Sequence, residues 1–273
     1  MKDQVTGMAH GAAAPAEAEI HSQAIVDPGA ELATGVTIGP WTRIGPGVRI
    51  GAGTMVGGCV LIERNTTVGE NCAIHQGAVL GTPPQDLKFG GEDTQLVVGD
   101  RTVIREYATL NRGTSASGLT RVGDDCLLMA YTHVAHDCRL GDHVILSNSV
   151  NMAGHVELDD WVIIGGLTPI HQFVKVGAHA FVGGGSRISQ DVAPYCRVAG
   201  SPPKLYGLNS VGLERRGFSA EARAALKQAY RVVFQSNLNV SQGLARAREE
   251  VESTPEVERF LDFIQNSERG ITF

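Results

Sequence analysis

The sequence predicts an all-β parallel β-helix, a solenoid of short strands, followed by a small α-helical domain. Three observations carry that prediction. An aliphatic residue recurs at every sixth position over most of the chain, the composition is rich in glycine and poor in aromatics, and the patterning turns helical after about residue 206. Of 273 residues, 34 are glycine and only 5% are aromatic. That balance suits short strands and tight corners better than an α/β enzyme. Hydrophobic residues make up 42% of the chain, enough for a packed core and too many for wholesale disorder.

Residues 1–19, "MKDQVTGMAHGAAAPAEAE", lack the continuous apolar run of a signal peptide and read as a disordered or variable leader. From Ile20 the aliphatic series runs through Val26, Leu32, Ile38 and onward to Leu80, resumes at Val98, Ile104 and Leu110, and resumes again from Val122 to Ile188. Glycine often follows it, as at Gly39, Gly51, Gly69, Gly141 and Gly165. Four positions after the aliphatic stands a small or β-branched residue, as at Thr42, Val48 and Thr54. Cys72, Cys126 and Cys138 occupy this slot, which makes them small buried hydrophobes rather than ligands. A period of six fits neither an amphipathic helix nor an alternating strand. It fits a parallel β-helix, with glycine tolerating the backbone that tight corners demand.

The β-helix is expected over 20–206, interrupted by outward loops at 81–97, "GTPPQDLKFGGEDTQLV", and at 111–121, "NRGTSASGLTR". Such insertions in a solenoid mark its binding face. Residues 207–273 read as helical. Ser219 is placed to cap "AEARAALKQAYRVVFQS", Thr254–Pro255 opens "PEVERFLDFIQNS", and "VSQGLARAREEVE" between them is weakened by Gly243. The net charge of −6 gives no electrostatic argument for nucleic acid. No segment approaches the ~20 apolar residues of a membrane span. Five cysteines without a CxxC pair read as free thiols of a cytoplasmic protein.

The repeat, for example "IGPWTRIGPGVRIGAGTM", resembles the hexapeptide-repeat acyltransferases. The resemblance implies a left-handed β-helix of triangular section with three hexapeptides per coil, an exception to the usual right-handed crossover. Positions n and n+18 then lie above one another, about 4.8 Å apart. His136 falls in line with Gly154 and Gln172, Asp137 with His155, and His171 with Ala153 and Ala135. His133 ends the preceding repeat and points toward the same strip, whereas His75, His143 and His179 lie at other phases.

Three readings of this strip compete. It is a solvated corner, a metal site, or the general base of an acyl transfer. Zinc is a standard partner of imidazole, and hexapeptide-repeat carbonic anhydrases bind it through three histidines. Their close pair is separated by four residues, however, and here the close pair is His133-x-x-His136. Acyl transfer from a thioester needs a base near neutrality and a donor for the developing oxyanion, but no covalent nucleophile. His136 with Asp137, one coil from the Gly154 backbone, has those parts, and this reading accounts best for the strip.

"HVAHDCRLGDHVILSN", "AGHVELDDWVIIGGLTPIHQFVKVGAHAFVGGGS" and "GLERRGF" are similar to the UDP-N-acetylglucosamine 3-O-acyltransferase family, over nearly the whole chain after residue 19. The resemblance implies a homotrimer with an active site in each cleft between subunits and with no cofactor or metal. It implies transfer of a 3-hydroxyacyl group from acyl carrier protein to the glucosamine 3-hydroxyl of UDP-N-acetylglucosamine, the first step of lipid A biosynthesis. By motif, His136 matches the base, Asp137 its orienting partner and Gly154 the oxyanion donor. Asp86 and Lys88 match groups that hold the nucleotide sugar. His133, His155, His171 and Gln172 match substrate-positioning groups, and Asn209, Arg215 and Arg216 the nucleotide-contacting end. Arginine there suits a diphosphate. Without the resemblance, "ERR" reads equally as an exposed helix start. Gly184 matches the position that sets acyl-groove depth, or else serves corner geometry.

An acidic residue near Val211 and a histidine near Pro202, common in the family, are absent here, and the "GTPP" opening of the first loop varies among relatives near the acceptor sugar. The acceptor is therefore alternatively a 3-amino UDP-sugar analogue. Further rivals are the N-acyltransferase later in the same pathway, whose extra N-terminal domain 19 residues cannot supply, a coenzyme A-dependent acetyltransferase, a non-catalytic scaffold, and a zinc carbonic-anhydrase homologue.

Overall fold

The computed structural model describes residues 17–273, so most of the expected leader lies outside the described residues. The first strand, Glu19–Ile20, already pairs in parallel with Thr37–Ile38. Two-residue strands then wind a left-handed β-helix with three faces, whose sheets hold eleven, eight and eight strands. The eleven-stranded sheet is called the first face here, and the next two follow in chain order. The register is the expected one: His133 pairs with Asn151, and Asn151 with Pro169. It widens to Ala73↔Val103 and Val103↔Leu127, where the two loops are inserted.

The aliphatic series fills the prism. Ile44, Ile62, Leu80, Leu110, Leu128 and Ile164 are essentially inaccessible. Ile20, at the open first coil, is half exposed. The four-position slot is buried too, and its hydroxyls tie coils together. Thr42 donates to the Gly57 carbonyl at 2.6 Å and accepts from Val60 N–H at 3.1 Å. In the same slot, burial pushes the thiols of Cys126 and Cys138 up to about 12, so they stay protonated.

The recurrent glycines have a different cause from the one the sequence suggested. Gly39, Gly51 and Gly165 are not in the left-handed region; a Cβ there would stand 2.3–2.7 Å from backbone of the next coil. Close stacking, not a special backbone angle, requires glycine. The left-handed corner position lies two residues further on, and seventeen such positions are not glycine. Each costs roughly 1–2 kcal/mol in an L-residue. Ring stacking up the corners offsets part of that cost, as in Tyr107–Tyr131 at 5.4 Å and His143–Trp161 at 3.9 Å.

Outward residues alternate with the core. On the first face they form an unbroken apolar stripe of Val103, Leu127, Ile145, Ile163 and Phe181, each partly exposed. Both loops leave the corner between the second and third faces. Strands reach into them, over Val79–Thr82 and Gln95–Val98 and over Thr109–Asn111 and Leu119–Val122, so the irregular parts are 83–94 and 112–118. Arg112, 3% exposed, ties the loops together by donating to the Gly81 carbonyl at 3.0 Å and lying 5.5 Å over the Phe89 ring.

Strand Cys196–Ala199 closes the first face and turns back antiparallel into Lys204–Leu208, so residues 207 and 208 are strand rather than helix. Four helices follow: α1 (Ser210–Arg215), α2 (Ala220–Phe234), α3 (Val240–Glu250) and α4 (Pro255–Gln265). Ser219 and Thr254 cap α2 and α4 as their sequences predict. Gly243 is explained by packing, because a Cβ there would lie 3.0 Å from the Val233 Cα on α2. The short helix α1 was not expected, and it places "ERR" at a helix end instead of a start. The C-terminal tail returns to the β-helix, where Ser267 donates to the buried Asp191 carboxylate at 2.6 Å. Among the described residues no helix is long and apolar enough to cross a membrane.

Candidate active site

The corner between the second and third faces carries the site, and the coil repeat assembles it. His136 and Asp137 form one step, Gly154 and His155 the next, Gln172 and Phe173 the third. His136 Nδ1 lies 2.7 Å from Asp137 Oδ2. Asp137 has a fully buried side chain, while that of His136 remains 16% exposed. A ring nitrogen held by a carboxylate carries the proton, which leaves Nε2 as the basic nitrogen.

The imidazole lies across Gly154. A Cβ on Gly154 would stand 2.5 Å from His136 Cε1 and 2.7 Å from Nε2, so only glycine accommodates the ring. Among the described residues no backbone carbonyl accepts from the Gly154 N–H, which leaves that donor available beside the His136 ring. His155 closes the strip edge-on to His136 at 5.2 Å and stacks on Phe173 at 4.5 Å.

Asp137 is held by more than histidine. Its Oδ1 accepts from Thr114 N–H at 3.1 Å and from the Ser117 hydroxyl, and its Oδ2 accepts from the Thr114 hydroxyl at 2.7 Å. Its own N–H donates to Thr120 Oγ1 at 2.8 Å. Burial alone would raise its carboxyl; hydrogen bonds from Ser117, His136 and Thr114 outweigh burial and hold it below the usual carboxylate range. His136, Asp137 and His155 also have the composition of a cation site, with ligand atoms within 4.8 Å of one another. The carboxylate's lone pairs are already engaged by four donors, however, so a metal would have to displace them, and the donor set fits a hydrogen-bonded dyad better.

The other expected residues divide by position. His133 stands on the second face with Nδ1 2.7 Å from Thr109 Oγ1; burial, and then the nearby His136, push its pKa down, so it stays neutral around pH 7. His171 is in line one coil above Ala153, its Nδ1 3.2 Å from the Gln172 carbonyl and 3.2 Å from an Arg269 nitrogen. Gln172 is exposed beside it. Asp86 and Lys88 share the loop over 83–94, with Asp86 Oδ1 accepting from Lys88 N–H at 3.0 Å and Lys88 exposed.

Within one chain these loop residues do not touch the dyad, and neither do Asn209, Arg215 and Arg216. Asn209 caps α1 and donates to the His179 carbonyl at 3.0 Å. Arg216 lies 5.0 Å over the Trp161 ring, at the corner between the third and first faces, and Arg215 is exposed beside it. There burial, with Arg216 and Arg259, lowers His179 to about 4, so its ring joins the stack uncharged. Gly184 sits at the remaining corner, where a Cβ would lie 3.2 Å from the Gly166 carbonyl.

Sequence reading missed Thr114, Ser117 and Thr120 around Asp137, and it missed Glu268 and Arg269. The last two come from the C-terminal tail to line a cleft of about 690 Å³ with Asp137, His155 and Phe173. Polar loop residues give no periodic signal, and the tail's return is set by a contact remote in sequence.

The comparisons with known proteins agree with one another. Residues 191–272 match the family model described as UDP N-acetylglucosamine O-acyltransferase, domain 2, and residues 17–52 and 119–154 match the bacterial transferase hexapeptide model. The chain is 57% identical, over 92% of its length and 98% of the relative, to the acyl-[acyl-carrier-protein]–UDP-N-acetylglucosamine O-acyltransferase of Paracidovorax citrulli. It is 52% identical to the protein of the same name from Myxococcus xanthus, over 93% of this chain and 99% of that one. Among solved structures, a UDP-N-acetylglucosamine acyltransferase from Bacteroides fragilis superimposes with a TM-score of 0.91 at 42% identity, covering 93% of this chain and 99% of that one.

Proposed function

The chain belongs to the UDP-N-acetylglucosamine O-acyltransferase family, and from that premise we propose that His136, Asp137 and Gly154 carry out its reaction. The protein transfers an acyl group from acyl carrier protein to the glucosamine 3-position of UDP-N-acetylglucosamine, in lipid A biosynthesis. The acyl group is a 3-hydroxyacyl chain. His136 Nε2 takes the proton of the 3-hydroxyl as the oxygen attacks the thioester carbonyl. Gly154 N–H donates to the oxyanion. The carbon–sulfur bond then breaks with its electron pair on sulfur, and the imidazolium returns the proton to the departing thiolate, giving the carrier thiol. Asp137 orients the ring and stabilises the imidazolium. The 2.7 Å Nδ1–Oδ2 contact on a buried carboxylate is the observation that carries this reading.

Asp86, Lys88, His155, His171 and Gln172 hold the nucleotide sugar, with His133 beside them. Asn209, Arg215 and Arg216 take its nucleotide end, and Gly184 bounds the acyl groove. We read the protein as a cytoplasmic homotrimer. The apolar stripe of Leu127, Ile145, Ile163 and Phe181 supports this, because a contiguous apolar strip of that extent is ordinarily covered by a partner. A neighbouring copy then supplies the second wall of the cleft, which accounts for the separation of Lys88 and Arg216 from the dyad within one chain. Light scattering is expected to give the mass of three chains, and Leu127→Asp with Ile145→Asp to give monomers. A monomeric wild type would overturn the assembly.

The reaction is tested by offering 3-hydroxyacyl carrier proteins of several chain lengths with UDP-N-acetylglucosamine, and separately with its 3-amino analogue. A 3-O-acyl product with release of carrier thiol is expected, unaffected by chelators. An amide formed on the analogue alone selects the other acceptor, and no product at any chain length rejects the reading.

A further inference from the structure

The segment 112–118 does more than decorate the corner. Asp137 accepts four hydrogen bonds, and three of them come from this one loop: the Thr114 N–H, the Thr114 hydroxyl and the Ser117 hydroxyl. Ser117 Oγ also has the Leu119 carbonyl within 3.0 Å. A hydroxyl has one proton to give, and the ionised carboxylate is the stronger acceptor. Thr114 in turn closes the loop, its hydroxyl accepting from Ala116 N–H at 3.2 Å and its carbonyl from Gly118 N–H at 2.7 Å. The loop thus holds both carboxylate oxygens, Oδ1 through Thr114 N–H and Ser117 and Oδ2, the oxygen that also meets His136, through the Thr114 hydroxyl.

We propose that Thr114 and Ser117 are positioning residues for the transfer reaction, clamping Asp137 so that His136 is held with Nδ1 bonded and Nε2 open to substrate. The inference rests on the reading of His136 as the base. Neither residue touches the reacting atoms. Both act through the carboxylate, whose rotation would otherwise take His136 with it. Two of Asp137's neighbours, His136 and His155, face the carboxylate directly. Arg139, Glu157, Lys175, Asp191, Glu268 and Arg269 line the cleft beside it. All of these stay in place when the loop hydroxyls are removed, so a change in pH dependence reports on the clamp.

The variants Ser117→Ala, Thr114→Val and their combination test it, with Thr114→Ser retaining the hydroxyl. Removing the two hydroxyl donors leaves burial opposed only by His136 and the Thr114 N–H, so the Asp137 carboxyl titrates at higher pH, as read by ¹³C NMR without turnover. The acid limb of the kcat–pH profile moves up with it. For the double variant kcat is expected to fall roughly ten-fold through misplacement of the ring. KM for both substrates is expected to change by less than about two-fold, the signature of a group that does not bind substrate. Thr114→Ser recovers at least half of wild-type kcat.

A double variant with unchanged kcat overturns the proposal, and so does a loss equal at every pH with the Asp137 titration unmoved. Should the double variant fail to fold, Ser117→Ala alone carries the same readouts. His136→Ala separates the two readings. If it retains activity the base assignment fails, while the NMR titration of Asp137 still reports whether the clamp exists.

Discussion

His136→Ala is expected to lower kcat about 10³-fold, the middle of the range for removing a general base and about 4 kcal/mol of transition-state stabilisation. KM for the acceptor should change little, because the imidazole's Nδ1 is committed to Asp137 and, in the proposed reaction, its Nε2 acts only on the proton in flight. The protein should remain folded: His136 is a corner side chain outside the aliphatic core, and the coil hydrogen bond from His155 N–H to the His136 carbonyl does not depend on the side chain. Steady-state kinetics with the saturating carrier-bound donor, alongside thermal unfolding, checks both halves. A mutant with kcat within a few-fold of wild type would remove His136 from the chemistry and leave the strip as a binding surface.

Gly154→Ala is expected to be nearly as damaging, about 10²-fold in kcat, by a different route. The new methyl would occupy space 2.5 Å from His136 Cε1, too close for any real contact. The imidazole is the movable partner, so it swings out and gives up the 2.7 Å bond to Asp137. Gly154 lies outside the left-handed region, so alanine introduces no backbone strain and the coil survives. A folded Gly154→Ala protein with undiminished kcat would show that the ring does not need to lie where it does. The contrast with His136→Ala is informative. One variant removes the imidazole, the other keeps it and denies it its place.

The fold was legible because its determinant is periodic. An inward aliphatic at every sixth position is a local statement repeated 26 times, and each repetition constrains the same prism. The helical tail was legible through Ser219 and Thr254, whose caps act within one turn. The glycines were legible as necessary, but not for the right reason. Their constraint is the backbone of the next coil, eighteen or more residues away. For the same reason Gly243 looked like a weakness in α3 until Val233 of α2 was seen against it.

The candidate site divides along the same line. His136, Asp137, Gly154 and His155 could be brought together on paper, because the coil length converts sequence separation into height. The hydroxyls of Thr114 and Ser117 could not, since an insertion breaks the repeat and its path is set only by what it meets. Arg269 reaches His171 because Asp191 captures the tail through Ser267, a contact between residues 76 positions apart.

By itself, then, the sequence determined the prism, its three-fold corner phases and the identity of the histidine strip. The prism follows from a repeat that acts locally and adds up, while the three repeats per coil that set the corner phases and the strip are what the resemblance to the hexapeptide-repeat family implies. Only the tertiary structure decided how the strip is finished. The Asp137 carboxylate is buried and saturated by donors from a non-repeating loop, and the imidazole fits only where a glycine one coil away leaves room. Those outcomes depend on contacts between segments that no periodicity connects, and their energies exist only once the chain has closed around them.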